Sequence, residues 1–265
     1  MAVARVSGAG VELAYEESGA GRPVLLVHGT GLTRLAWRET VGALAGSVRA
    51  IAYDRRAYGD SEAPEPYLAT TIEEQAEDAA ALLRALGATP AVVCGHSAGA
   101  VVALDLLLRH SALVRGAVLV EPPLLALAPT GAEMLSELRE EIEDAARERG
   151  PGAAVEALLT GRAGEGVLDV LGPERAEAAR ASVRGALADF GAVTGWELRR
   201  RALRAIEQPV LVLSGARSRE IYREVAALLA DLVGSAELRE LDAGWAGPLE
   251  DPVGVAAAIR DVADA

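Results

Sequence analysis

A mostly parallel, eight-stranded sheet with helices on both faces is the α/β architecture that this 265-residue sequence predicts. Short apolar runs of the buried-strand type alternate with stretches of helical period, and such alternation implies parallel strands covered on both sides. The segment Gly95-His96-Ser97-Ala98-Gly99 lies between an apolar strand and an apolar helix, the context of a sharp turn that presents a serine. The alternation stops at Glu121-Pro122-Pro123 and returns at Pro209, so a separate unit is inserted into the sheet-building sequence.

The elements follow in order. Strands near Ala4–Ser7 and Val11–Glu17 are joined by Gly8-Ala9-Gly10. After Gly19-Ala20-Gly21 comes a buried strand at Pro23–Val27, then a helix from Arg34 to Ala45 and a strand at Val48–Tyr53. Thr71 caps a helix running to Leu86, with Glu73 and Glu74 suiting the positive end of its dipole. The serine-bearing turn joins a strand at Ala91–Cys94 to a helix at Ala100–Leu108, and a strand follows at Gly116–Val120. Residues 124–207 have helical period with breaks at Gly150-Pro151-Gly152, Gly161 to Gly166 and Gly172-Pro173. The last elements are a strand at Pro209–Ser214, a helix at Arg219–Leu232, a strand at Ala236–Leu241 and a helix from Val253. The organisation expected is a core in two parts, 1–123 and 208–265, and a helical lid at 124–207.

Composition narrows the class of function. The net charge of −13 argues against nucleic acid or an anionic membrane as partner. All 26 basic residues are arginine, which removes Schiff-base lysine chemistry and points to a GC-rich genome. The one cysteine, Cys94, excludes an internal disulfide and a cysteine metal cluster, and its strand position reads as a buried core thiol. No leader-like apolar segment or long uncharged apolar run is present, so a soluble cytoplasmic protein is expected, as monomer or homodimer. No glycine-rich dinucleotide motif or metal-ligand cluster occurs, so no cofactor is expected.

The motifs resemble those of the α/β-hydrolase superfamily, in chain order and along nearly the whole length. His28-Gly29-Thr30-Gly31 resembles its oxyanion loop, Asp54 to Ser61 its D-R-x-G-x-G-x-S turn, Gly95 to Gly99 its nucleophile elbow, and Leu249-Glu250-Asp251-Pro252 the start of its last helix. The resemblance implies a catalytic serine at Ser97 and oxyanion donors on the backbone of Thr30 and Ala98, with His28 and Gly29 shaping the loop. Three positions depart from the pattern. Ala57 stands at a usual glycine. The loop Gly215-Ala216-Arg217-Ser218-Arg219 lacks the usual acid, and Trp245 stands where the catalytic histidine is expected.

None of the remaining histidines is an obvious substitute. His28 and His96 match structural positions of the motifs, and His110 ends a helix, where an imidazole suits the dipole. Glu121, after the sixth strand, reads either as a catalytic acid or as a capping carboxylate beside the Pro-Pro bend. Loss of the histidine from a serine triad costs about 10⁶ in turnover, or about 8 kcal/mol. What survives, about 10³–10⁴ over water, comes from the oxyanion hole and binding. The expectation is therefore an atypical enzyme of small-molecule, specialised metabolism. It would promote a non-hydrolytic cyclisation, isomerisation, epimerisation or elimination on a hydrophobic carbonyl compound. A serine esterase or thioesterase with an unconventional base, and a non-catalytic ligand-binding protein, are the alternatives. With aromatics only 3% of the chain, Trp37, Phe190, Trp196 and Trp245 are candidates for lining the substrate site, core packing being the competing role for each.

Overall fold

In a computed structural model, which describes residues 3–44 and 46–265, the strands are β1 Ala4–Ser7, β2 Glu12–Ser18, β3 Pro23–Val27, β4 Arg49–Tyr53, β5 Ala91–His96, β6 Val114–Val120, β7 Val210–Gly215 and β8 Ala236–Leu241. They form one sheet in the order β1-β2-β4-β3-β5-β6-β7-β8. Only the β1–β2 and β2–β4 pairs are antiparallel, so the opening strands make a flap on a parallel sheet. β3 to β5 and β7 are almost wholly buried, as their near-continuous Val/Leu/Ala runs require. β3 lies between β4 and β5, so the connections leaving it diverge, and a crevice opens beyond the carboxyl ends of β3 and β5.

Helices cover both faces. On one face α2, Ile72–Ala85, α3, Ala98–Arg109, and α9, Glu220–Leu232, pack on the sheet, and their buried side chains form one core cluster. The other face carries α1, Arg38–Leu44, and α10, Pro252–Asp264, over Val24, Leu26, Val118 and Leu211. Thr71 caps α2 in a capping box with Glu74, as the sequence suggests. The expected helix at Arg34–Ala45 begins as a tight 3₁₀ turn, Arg34–Trp37, before α1, and its final residue lies outside the described residues.

The insertion is helical throughout its described length: α4 Gly131–Arg149, α5 Pro151–Ala163, α6 Val167–Ala181, α7 Val183–Gly195 and α8 Arg200–Arg204. Gly150 separates α4 from α5, but α5 runs through Gly161 and stops only at Gly164, where φ is 91°. Gly172, at φ 72° and ψ 169°, is non-helical, so α6 is two helical pieces that meet in a kink at Gly172-Pro173, where the sequence places a break. The insertion and the core share a third apolar cluster, in which Val155, Leu158, Leu159 and Ala186 meet Leu32, Ala36, Trp245 and Ala246. No helix among the described residues is long and apolar enough to cross a membrane.

Candidate active site

The turn from β5 into α3 places Ser97 at φ 51° and ψ −121°, a conformation that L-residues seldom hold without compensation nearby. Its neighbours explain how the turn closes. A Cβ on Gly95 would lie 2.1 Å from the Gly99 carbonyl oxygen, and one on Gly99 would lie 2.2 Å from that of Val27. The Ser97 N–H donates to the Val120 carbonyl at 2.8 Å, tying the turn to β6. Gly29, after β3, approaches from the other side, where a Cβ would come within 3.1 Å of the Ser97 Cβ. Ala98 opens α3, whose first N–H groups lack intrahelical acceptors. Loop and helix start thus flank the serine.

The Ser97 hydroxyl is fully buried, and it accepts a bond of 3.2 Å from Nη1 of Arg162, near the end of α5. Every histidine nitrogen with a partner bonds elsewhere. The Arg55 N–H donates to His28 Nε2 at 3.0 Å, so the Nδ1–H of His28 points to the Gly29 carbonyl at 2.9 Å. Burial, and then the Arg55 charge, hold the His28 pKa well below the usual imidazole value. His96 donates from Nε2 to the Trp245 carbonyl at 2.9 Å, and its ring lies 4.4 Å from the Trp245 ring. Burial, opposed by that bond and reinforced by Arg162 and Arg55, lowers the His96 pKa to about 4, so the ring is neutral at pH 7. His110 contacts Glu77 and Arg84 at the far end of α3.

Glu121 is buried at the end of β6 with φ 52°. Its Oε1 accepts from the Gly215 N–H at 2.6 Å and from the Ser218 hydroxyl at 2.8 Å, while Oε2 has no partner. The carboxyl group therefore occupies the loop after β7, where Ser218 stands in place of an acid. Burial raises its pKa to about 7, against the opposing bonds from Gly215 and Ser218. Arg217 turns outward to Asp242 and Glu250.

The structure divides the sequence candidates. Ser97, His28, Gly29, Thr30, Ala98 and Trp245 come together around the turn. Phe190, half-buried, packs on the cluster that holds Trp245. Two assignments need correction. Trp37 is fully buried in the core beneath the sheet among Val24, Leu26 and Leu44, because its 3₁₀ turn directs it inward. Trp196 packs against α3, and its Nε1–H is satisfied by Asp105 at 2.9 Å, so it fastens the insertion instead of lining a ligand site. The larger open clefts also lie elsewhere. One of about 790 Å³ is lined by α4 and α5, and one of about 600 Å³ by α4 and α9.

Two residues of the insertion escaped the sequence reading. Arg162 reaches Ser97, and Asp189 on α7 takes bonds from Arg55, Tyr58, Gln75 and the Thr30 hydroxyl. Both carry a signal in the sequence. Arg162 continues the apolar stripe of Val155, Leu158 and Leu159, and Asp189 shares one with Gly185, Ala186, Ala192 and Val193. A lone charge on a buried helix stripe needs a partner inside.

The sequence model of the alpha/beta hydrolase family matches residues 24–258. Among curated relatives, an uncharacterized hydrolase, YraK, of Bacillus subtilis (strain 168) is 35% identical over 44% of this chain and 44% of its own length. The bifunctional epoxide hydrolase 2 of Sus scrofa is 32% identical over 47% of this chain and 23% of its own. The matches thus span less than half the length of these relatives. Among solved structures, a thermophilic esterase from Thermogutta terrifontis, with malate bound, superposes with a TM-score of 0.81 at 27% identity, covering 100% of this chain and 98% of that one.

Proposed function

The chain belongs to the alpha/beta hydrolase family, and from that premise we propose that it is an enzyme acting on a small, largely apolar carbonyl compound between the sheet and the insertion. In this reading the insertion serves as a lid. The reaction runs by stabilisation of a developing oxyanion, as in an isomerisation, cyclisation, epimerisation or elimination, without a serine–histidine–acid relay. The observation that carries the proposal is the bond from Arg162 to Ser97. A serine nucleophile must hand its proton to an acceptor, and a guanidinium has none to offer. The backbone donors of Thr30 and Ala98, with Arg162 beside them, suit a developing enolate or alkoxide in a water-poor site.

The test is p-nitrophenyl ester turnover together with fluorophosphonate labelling. Wild type and Ser97→Ala are expected to turn over esters at similarly low rates, with no labelling at Ser97. Fast turnover abolished by Ser97→Ala would overturn the proposal.

Glu121 favours a second reading, hydrolysis of an ester, in keeping with the esterase and hydrolase relatives. A carboxyl group with pKa about 7 is well matched to general-base work at neutral pH. It follows Val120, the register partner of His96, so Ser97 and Glu121 extend from adjacent strands. This reading requires a Ser97-dependent activity that rises through pH 7 and disappears in Glu121→Gln.

A further inference from the structure

Among the described residues three arginines are buried: Arg55, Arg56 and Arg162. The first two each have an aspartate. Arg55 pairs with Asp189 at 2.7 Å, and Arg56 pairs with Asp78 at 2.6 Å. Arg162 is 3% exposed, and its one hydrogen bond among the described residues goes to the neutral hydroxyl of Ser97. The chain contains 39 acidic residues, yet none places a carboxylate within ion-pair distance of this guanidinium among the described residues. A buried guanidinium with no counter-ion is strongly unfavourable, and it calls for a partner that arrives from outside.

A second observation stands beside the first. Tyr222, on α9, is buried with a hydroxyl that finds no partner, and Arg162 is the cation whose charge acts on it most strongly. Glu121 faces the same region, but its carboxylate is held by Gly215 and Ser218. The Ser97 turn therefore joins a guanidinium that has no counter-ion to the N-terminal end of α3, and an unpartnered phenol lies within the field of that guanidinium; all three suit negative charge. Around them stand Leu158, Leu159, Leu32 and Trp245, which offer an apolar wall.

We propose that Arg162 is the counter-ion for an oxyanion carried by the ligand, so that the ligand of this site is an acid with an apolar body and a carboxylate or phosphate head. This proposal rests on reading the Ser97 region as a ligand site. It does not depend on which reaction occurs there.

The experiment measures binding. Benzoate, phenyl phosphate and benzamide serve as probes in calorimetry and thermal unfolding, with wild type, Arg162→Gln and Arg162→Lys. At least one of the two acids is expected to bind wild type and raise its Tm, and the tighter one identifies the head group. Benzamide is expected not to bind. Arg162→Gln is expected to weaken the acid by about tenfold or more, the loss of a charge-assisted fork. Arg162→Lys, which keeps the charge and loses the fork, should fall between. Without ligand, Arg162→Gln is expected to melt no lower than wild type, whereas a purely structural arginine would leave the variant less stable. The proposal is overturned if neither acid binds, if benzamide binds as well as the acids, or if Arg162→Gln binds them unchanged. Ester turnover does not enter these measurements, so the fate of the catalytic reading is decided separately.

Discussion

Ala57 holds φ 64° in the turn where a glycine is usual, and its N–H donates to the Glu62 carbonyl at 2.9 Å. A left-handed conformation costs an L-residue with a Cβ about 1–2 kcal/mol, offset in part by the greater chain entropy glycine loses on folding. Ala57→Gly is therefore expected to stabilise the protein by about 0.5–1 kcal/mol, read as a higher denaturant midpoint with unchanged slope. Glu121 yields a pH prediction. Its carboxyl holds a proton up to about pH 7 in the folded state and loses it near 4.5 when unfolded. Between those values the folded state binds more protons, so this group's contribution to stability falls as pH rises through that window. Glu121→Gln should lose that dependence. The wild-type stability relative to the variant should decline by about 3 kcal/mol from pH 4 to pH 8, measured by urea unfolding across the range. At this scale the sequence showed which residue types stood at the serine, loop and β7 positions. It did not show that Glu121 turns into the β7 loop, because that depends on the φ of 52° at the end of β6.

At the scale of elements, α7 is joined to the loop after β3 and the turn after β4 through one carboxylate. Asp189 is fully buried, and the Arg55 charge with bonds from Arg55, Tyr58 and Gln75 keeps its pKa below the ordinary value, although burial acts in the other direction. Removing one member of such a pair leaves the other charge buried and alone. Asp189→Ala is expected to cost about 3–5 kcal/mol, and Arg55→Met in the same chain should recover much of it, as a double-mutant cycle would show. The individual helices were legible because apolar period and caps are local properties. Their mutual packing was not, since it is set by pairs such as Asp189–Arg55 and Trp196–Asp105, whose members lie far apart in the chain. The run Arg199 to Arg204 keeps its arginines exposed, as a solvated helix face requires.

Across the whole molecule, the sheet order sets the position of the site. Divergence of the connections at β3 brings the loop after β3 and the turn after β5 to one crevice, and the insertion between β6 and β7 lies over it. This topology was readable from the alternation and from motif order. The occlusion of the serine was not, because it depends on how far one arginine reaches from a helix assigned only by its period. The insertion is fastened to the core at several separate points: Asp189 with Arg55, Trp196 with Asp105, the Gly161 carbonyl with Arg219, and Arg162 with Ser97. Since Ser97 has no exposed surface, a reagent is expected to reach it only when some of these ties release. Access to the site is then a unimolecular event of the protein, with its own rate. A thiol placed there by Ser97→Cys would act as a clock for that event. Its alkylation by iodoacetamide should rise with reagent concentration and then level off at the opening rate, the same plateau being reached with a second alkylating agent of similar size. Cutting one tie with Trp196→Phe, which removes the bond to Asp105, should raise the plateau, whereas a rate that stays proportional to concentration for both reagents would mean the site opens far faster than the chemistry that samples it.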